Sequence, residues 1–138
     1  MNEGHAVGRS LKNLRPELLA LHRELLDSEK AAYEQTFGTI SSSTAFLQLL
    51  TSDSFFAWLQ PLNTLIAKID AALADKKEPL TEERTTELIA EAKALLTPDE
   101  CADGFGGRYH EAMQRDPHVI LAHAALRRHW PQDEKKVM

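Results

Sequence analysis

Residues 54–75 read SFFAWLQPLNTLIAKIDAALAD, and this stretch decides the fold. At about 100° per residue, its apolar side chains fall on one arc of a helical wheel and its polar side chains fall off it. This periodicity predicts an amphipathic core helix whose bulkiest side chains lie at its N-terminal end. The arc consists of Phe55, Trp58, Leu59, Leu62, Leu65, Ile66, Ile69, Ala72 and Leu73.

Pro61 lies inside this pattern, yet the apolar phase runs through it unchanged. We therefore predict one helix over residues 53–76 that bends at Pro61, with the carbonyl of Ala57 losing its helical partner. Trp58 lies in the middle of the arc, so we expect it to be the side chain on which the core depends most.

A second long helix is predicted over residues 14–37, with Asn13 as its N-cap and Gly38 as its left-handed stop. Its apolar side chains form two seams roughly 100° apart, and a face this wide can contact two neighbours. We expect the first seam to pack on the central helix. The second should meet either the C-terminal helix, which would place this helix at the centre of its own domain, or a second copy of the chain. The first seam contains Leu11, Leu14, Leu18, Leu21, Leu25 and Ala32, and the second Leu19, Leu26, Tyr33 and Phe37.

The remaining stretches also predict helices. We expect long ones over residues 82–96 and 117–129, the latter apolar on most sides and largely buried, and short ones over 44–50 and 108–115. Residues 97–100 read TPDE, a capping box that should open one further helical turn. No stretch has the alternation of a strand. The prediction is an all-α single domain over residues 1–138, a bundle of about four main helices, with residues 1–12 and 132–138 as loose tails.

Composition limits the functional classes. The chain of 138 residues has 43% hydrophobic and 27% charged residues, which is typical of a soluble globular protein. Its net charge of −5 gives no electrostatic reason to expect nucleic acid. A single cysteine excludes an internal disulfide. Neither a signal-peptide pattern nor a membrane-spanning run of ~20 apolar residues is visible, so we expect a cytoplasmic protein with no membrane partner.

Familiar catalytic motifs are incomplete. His110 and Glu111 begin an H-E-x-x-H zinc motif, but Gln114 stands where the second histidine is needed. Gly104 and Gly106 begin a dinucleotide fingerprint, but Tyr109 occupies its third glycine position. We therefore expect no metal and no cofactor.

Two functional hypotheses remain. The leading one is a non-enzymatic helical interaction module that self-associates through a seam of Leu19, Leu26 and Tyr33. The alternative is a small-ligand or metal site within residues 101–118, where backbone N–H groups of the glycine cluster could hold an anion. The simpler interpretation of that segment is a plain turn with surface histidines. The simpler interpretation of His22 is a buried histidine whose hydrogen bonds are satisfied. The alternative site would use Arg108, Tyr109, His110 and His118.

The order of residues over about 14–75 resembles that of small all-helical bacterial proteins of uncharacterised function. The resemblance rests on an LH..LL..E...YE pattern over residues 21–34 and an FAWL.PL..LI..ID pattern over residues 56–70. It implies a helical fold and carries no activity over to this chain.

Overall fold

The computed structural model describes residues 2–101 and 103–130, without the side chains of residues 2–7. Within these ranges the chain contains α-helices, one 3₁₀ helix and no strand, which confirms the predicted all-α class. The elements are α1 (Asn2–Phe37), α2 (Ser43–Ser52), the 3₁₀ helix (Ser54–Leu59), α3 (Gln60–Ala74), α4 (Glu82–Leu95), α5 (Phe105–Arg115) and α6 (Pro117–Arg127).

Helix α1 lies at the centre of the bundle and packs against α3, α4, α5 and α6. The leucines of its first seam are fully buried and share one core with Leu62 and Ile69 of α3, as predicted. Each such leucine contributes about 1.5–3 kcal/mol by leaving water. They are Leu11, Leu14, Leu18, Leu21 and Leu25.

The prediction of a loose N-terminal tail over residues 1–12 is wrong for the described part, because α1 already begins at Asn2. Gly8 is buried, and a Cβ atom there would lie 3.9 Å from Leu80, while Leu11 is fully buried. The part of α1 from Gly8 to Leu11 therefore also packs on the bundle. The tail predicted at residues 132–138 lies outside the described residues.

The central stretch is continuous at Pro61 but changes helix type before it. A 3₁₀ helix ends at Leu59, and Pro61 lies in the first turn of α3. The N–H of Gln60 donates to the carbonyl of Ala57, so the prediction that this carbonyl loses its partner is wrong. Proline fits the first turn of a helix because a backbone N–H at that position has no intrahelical acceptor, so its absence costs no hydrogen bond.

The 3₁₀ geometry also changes which aromatic side chain is buried. Residues three apart eclipse one another in a 3₁₀ helix, which places Phe56 and Leu59 on one face. Each is 2% exposed, whereas Trp58 is half-buried at the edge of the core. The prediction that Trp58 lies at the centre of the core therefore needs correction: Phe56 takes that place.

Two other local predictions differ from the structure. Helix α6 is buried along the face of Val119, His123 and Leu126 only, and Ile120 and Leu121 are 45% and 67% exposed. It packs on α1 from one side, so the expectation that it is largely buried is wrong.

The capping box at residues 97–100 opens no helical turn within residues 97–101. The hydroxyl of Thr97 instead donates back to the carbonyl of Lys93 at 2.6 Å, which ends α4. The N–H of Asp99 donates to the carbonyl of Gly106 at 3.1 Å, so this segment runs alongside the start of α5.

Candidate functional site

A cavity of about 840 Å³ lies between α1, α2, the 3₁₀ helix and the start of α3. We call it the His22 cavity. Ligand pockets in proteins typically measure about 300–1,000 Å³ and are mostly apolar with a few polar groups. Buried or half-buried side chains form its inner wall, and exposed residues of α2 and the 3₁₀ helix form its mouth. Its lining is His22, Leu26, Leu47, Leu50, Thr51, Ser52, Asp53, Ser54, Phe56, Ala57, Leu59, Gln60 and Asn63.

His22 is the polar group of the inner wall. Its Nε2 is buried and has no hydrogen-bond partner, and it is the only side-chain nitrogen or oxygen atom of the described part identified in that state. At Nε2, the sequence-based expectation of a satisfied histidine is therefore wrong. Burial lowers the pKa of His22, while hydrogen bonding with the Asn63 side chain acts in the opposite direction. An imidazole with a lowered pKa is neutral at pH 7 and offers one donor and one acceptor nitrogen.

Other polar residues of the lining, namely Asp53, Ser52 and Asn63, hydrogen-bond within the protein. Asp53 accepts from the N–H of Phe55 at 2.8 Å and so caps the 3₁₀ helix. Ser52 donates to a backbone carbonyl of α2 at 2.7 Å. Asn63 donates to Gln60 at 3.3 Å. Nε2 of His22 is therefore the buried polar atom of the lining that has no partner.

A buried polar network lies on another side of α1. The carboxylate of Glu29, whose side chain is 4% exposed, accepts from Arg115 at 2.5 Å and from the indole of Trp58 at 3.1 Å. Arg108 lies 4.0 Å from the same carboxylate and stacks over the Trp58 ring. Arg115 also donates to Ser28 at 2.8 Å. The network satisfies a buried charge and links α1 to the 3₁₀ helix and α5.

A second buried polar pair joins α5 to α6. The hydroxyl of Tyr109 lies 2.6 Å from Nδ1 of His123. Burial raises the pKa of Tyr109, and burial with the nearby charge of Arg127 lowers the pKa of His123. Both groups are therefore neutral near pH 7, and the bond is one between a phenol and an imidazole.

The four residues of the alternative site do not share partners. Tyr109, which the alternative site would use, is fully buried and does not face solvent. His110 lies 3.7 Å from Glu100, and the exposed His118 lies 3.3 Å from Asp116. Arg108 faces Glu29 and Trp58, as described above.

The glycine cluster of that segment forms the first turn of α5, not the plain turn of the simpler interpretation. A Cβ atom on Gly106 would lie 3.2 Å from the carbonyl oxygen of Thr97, so this position accommodates a close backbone approach. Residues 2–101 and 103–130 contain no group of three or more His, Cys, Asp and Glu side chains able to hold a metal ion.

The proposed interaction seam divides into three environments. Leu19 is 37% exposed. Leu26 is half-buried and lines the His22 cavity. Tyr33 packs among aromatic rings, with Phe55 and Phe56 each 5.4 Å away between ring centroids.

On a helical wheel, His22 and Glu29 both lie between the two apolar seams of α1, but sequence reasoning did not select them as functional residues. A polar side chain between apolar seams is a signal for burial, and it fits both positions. Which of the two would be satisfied depends on residues far away in the chain, such as Arg115 for Glu29.

Searches for similar proteins found no matching family model, curated protein or solved structure. Within the described residues, no helix combines the length and apolar character needed to cross a membrane.

Proposed function

We propose that this chain is a non-enzymatic helical binding protein that holds a small, largely apolar molecule in the His22 cavity. The observation that carries the proposal is the unpartnered Nε2 of His22 in the inner wall of an 840 Å³ cavity. A buried polar atom without a partner costs about 1–3 kcal/mol, and a bound molecule that hydrogen-bonds to it would remove that cost.

Binding is favoured over catalysis by the surroundings of His22. A general base is usually paired with a nucleophile or oriented by a second titratable group. Asp53 is the only carboxylate among the residues lining this cavity, and its Oδ1 is occupied in capping the 3₁₀ helix. The cavity therefore offers recognition chemistry rather than an acid–base pair.

Filling the cavity tests the proposal. Ala57 is exposed and lines the cavity mouth, and Ala57→Trp should block entry. Ala67→Trp, at an exposed position of α3 outside the lining, is the matched control. Octane and 1-octanol should raise the unfolding temperature of the native chain and of Ala67→Trp, but not of Ala57→Trp. At a hundred times its dissociation constant a ligand adds about 2.7 kcal/mol. If neither compound stabilises the native chain, the proposal fails.

A second candidate is self-association, favoured by exposed apolar side chains on α1 and α6. Leu19, Ile120 and Leu121 are 37%, 45% and 67% exposed. Exposed apolar side chains can take part in protein interfaces, and symmetric dimers are the commonest assemblies. Sedimentation of the native chain against Leu19→Glu and Leu121→Glu tests this. A native dimer that the two variants convert to folded monomers supports the interface, and a native monomer at all concentrations rejects it.

A further inference from the structure

We infer that the molecule held in the His22 cavity is uncharged and carries one hydroxyl group that hydrogen-bonds to Nε2 of His22. The inference rests on the proposed function and adds the chemical class of the ligand. It follows from the charges of the cavity lining and from the one polar atom that has no partner.

The charge of the lining disfavours an anionic ligand. No lysine or arginine lies among the lining residues, and the one carboxylate there belongs to Asp53. An anionic ligand would meet that carboxylate without a compensating cation. A cationic ligand could pair with Asp53, but that contact would leave Nε2 of His22 without a partner.

The unpartnered Nε2 of His22 indicates which polar group the ligand carries. Nε2 of a neutral imidazole is a donor in one tautomer and an acceptor in the other. A hydroxyl group can donate and accept, so it pairs with Nε2 in either tautomer, whereas an ether can only accept. One hydroxyl also matches the single buried polar atom of the lining that has no partner.

The apolar walls of the cavity indicate what the rest of the ligand is like. Apolar side chains from α1, α2 and the 3₁₀ helix line the cavity, including the deeply buried Phe56 and Leu59. An aliphatic or aromatic body would contact these walls and displace water from them, which is favourable in proportion to the apolar area buried. An alcohol or phenol of medium size meets both requirements.

Comparing three eight-carbon probes tests the inference by calorimetry. We expect 1-octanol to bind about tenfold more tightly than octane, because one net hydrogen bond adds about 1.4 kcal/mol. Octanoate at pH 8 should bind more weakly than 1-octanol. In His22→Leu the preference for 1-octanol over octane should disappear, and in His110→Leu, which changes a histidine outside the cavity lining, it should persist.

The outcomes separate this inference from the proposed function. Equal binding of octane and 1-octanol would overturn the inference and leave the apolar binding function in place. Binding of no probe would remove both. If His22→Leu does not fold, the native chain still decides: the ¹⁵N shift of His22 Nε2 should change on addition of 1-octanol and not of octane, and an unchanged shift with bound 1-octanol would refute the inference.

Discussion

The indole Nε1 of Trp58 donates a hydrogen bond of 3.1 Å to Oε1 of Glu29, which joins the 3₁₀ helix to the middle of α1. The two residues are 29 positions apart in the chain. Trp58 thus supports the fold with its polar edge as well as with its ring, which lies 5.1 Å from that of Phe105.

Trp58→Phe should reduce the free energy of unfolding by about 1–2 kcal/mol, because it removes a donor to a buried charged acceptor and retains most of the ring. Urea unfolding at pH 7 measures the change. Trp130→Phe is the control, since Trp130 also packs against the core and no hydrogen bond of its indole is observed within the described part of the chain. Equal effects of the two variants would show that the bond to Glu29 adds nothing.

Glu29→Gln should cost about 1–3 kcal/mol, because it removes the carboxylate that Arg115 and Trp58 both contact. The lower part of this range is expected, since Arg115 is 39% exposed and water can replace part of the lost interaction. Asp27→Asn makes the same carboxylate-to-amide change at an exposed position of the same helix and should leave stability within about 0.5 kcal/mol. A Glu29 variant as stable as this control would contradict the role of the network.

Tyr109→Phe should cost about 1–2 kcal/mol, since it leaves Nδ1 of the buried His123 without its partner while the ring is kept. Thermal and urea unfolding both report the loss. Tyr33→Phe is a matched control, because Tyr33 is half-buried and packs through its ring alone among the contacts observed. A loss no larger than that of Tyr33→Phe would mean that the hydroxyl contributes nothing net.

Pro61→Ala should change stability by no more than about 1 kcal/mol. In a helix interior, replacing proline with alanine would stabilise by about 3 kcal/mol. Pro61 instead lies in the first turn of α3, where proline is compatible and restricts the unfolded chain. Stabilisation of more than about 2 kcal/mol in urea would show that Pro61 strains the helix.

Acidification should destabilise the protein in part through His22 and His123. Burial lowers both pKa values below 6.5, so the folded chain binds fewer protons than the unfolded chain. Their contribution is complete above about pH 6.5 and is lost as the pH falls from there toward the folded-state pKa values. Urea unfolding from pH 7.5 to 5 should therefore show a shallower loss in His22→Gln than in the native chain.

His118→Gln provides the control for that pH series, because His118 is an exposed imidazole on α6. The His118→Gln variant should lose stability on acidification about as steeply as the native chain does, and more steeply than the His22→Gln variant. If His22→Gln instead loses stability as steeply as the native chain, His22 is not neutralised by burial.

Sequence periodicity alone determined the all-α class and the buried face of α1. A leucine at every third or fourth position from Leu11 to Leu25 can be removed from water on one side of a helix only. The start of α4 also depends on a local contact, because the hydroxyl oxygen of Thr81 accepts from the N–H of Arg84 at 3.0 Å and caps the helix. In both cases the deciding partners lie within one or two helical turns.

Tertiary structure decided the residues with distant partners. Glu29 is satisfied because Arg115, 86 positions away, reaches it, whereas Nε2 of His22 on the same helix meets a cavity. Phe56 rather than Trp58 lies at the centre of the core, because the 3₁₀ helix places Phe56 on the buried face. Periodicity specifies which face of a helix leaves water, but hydrogen-bond satisfaction and cavities depend on which side chains of other helices meet that face.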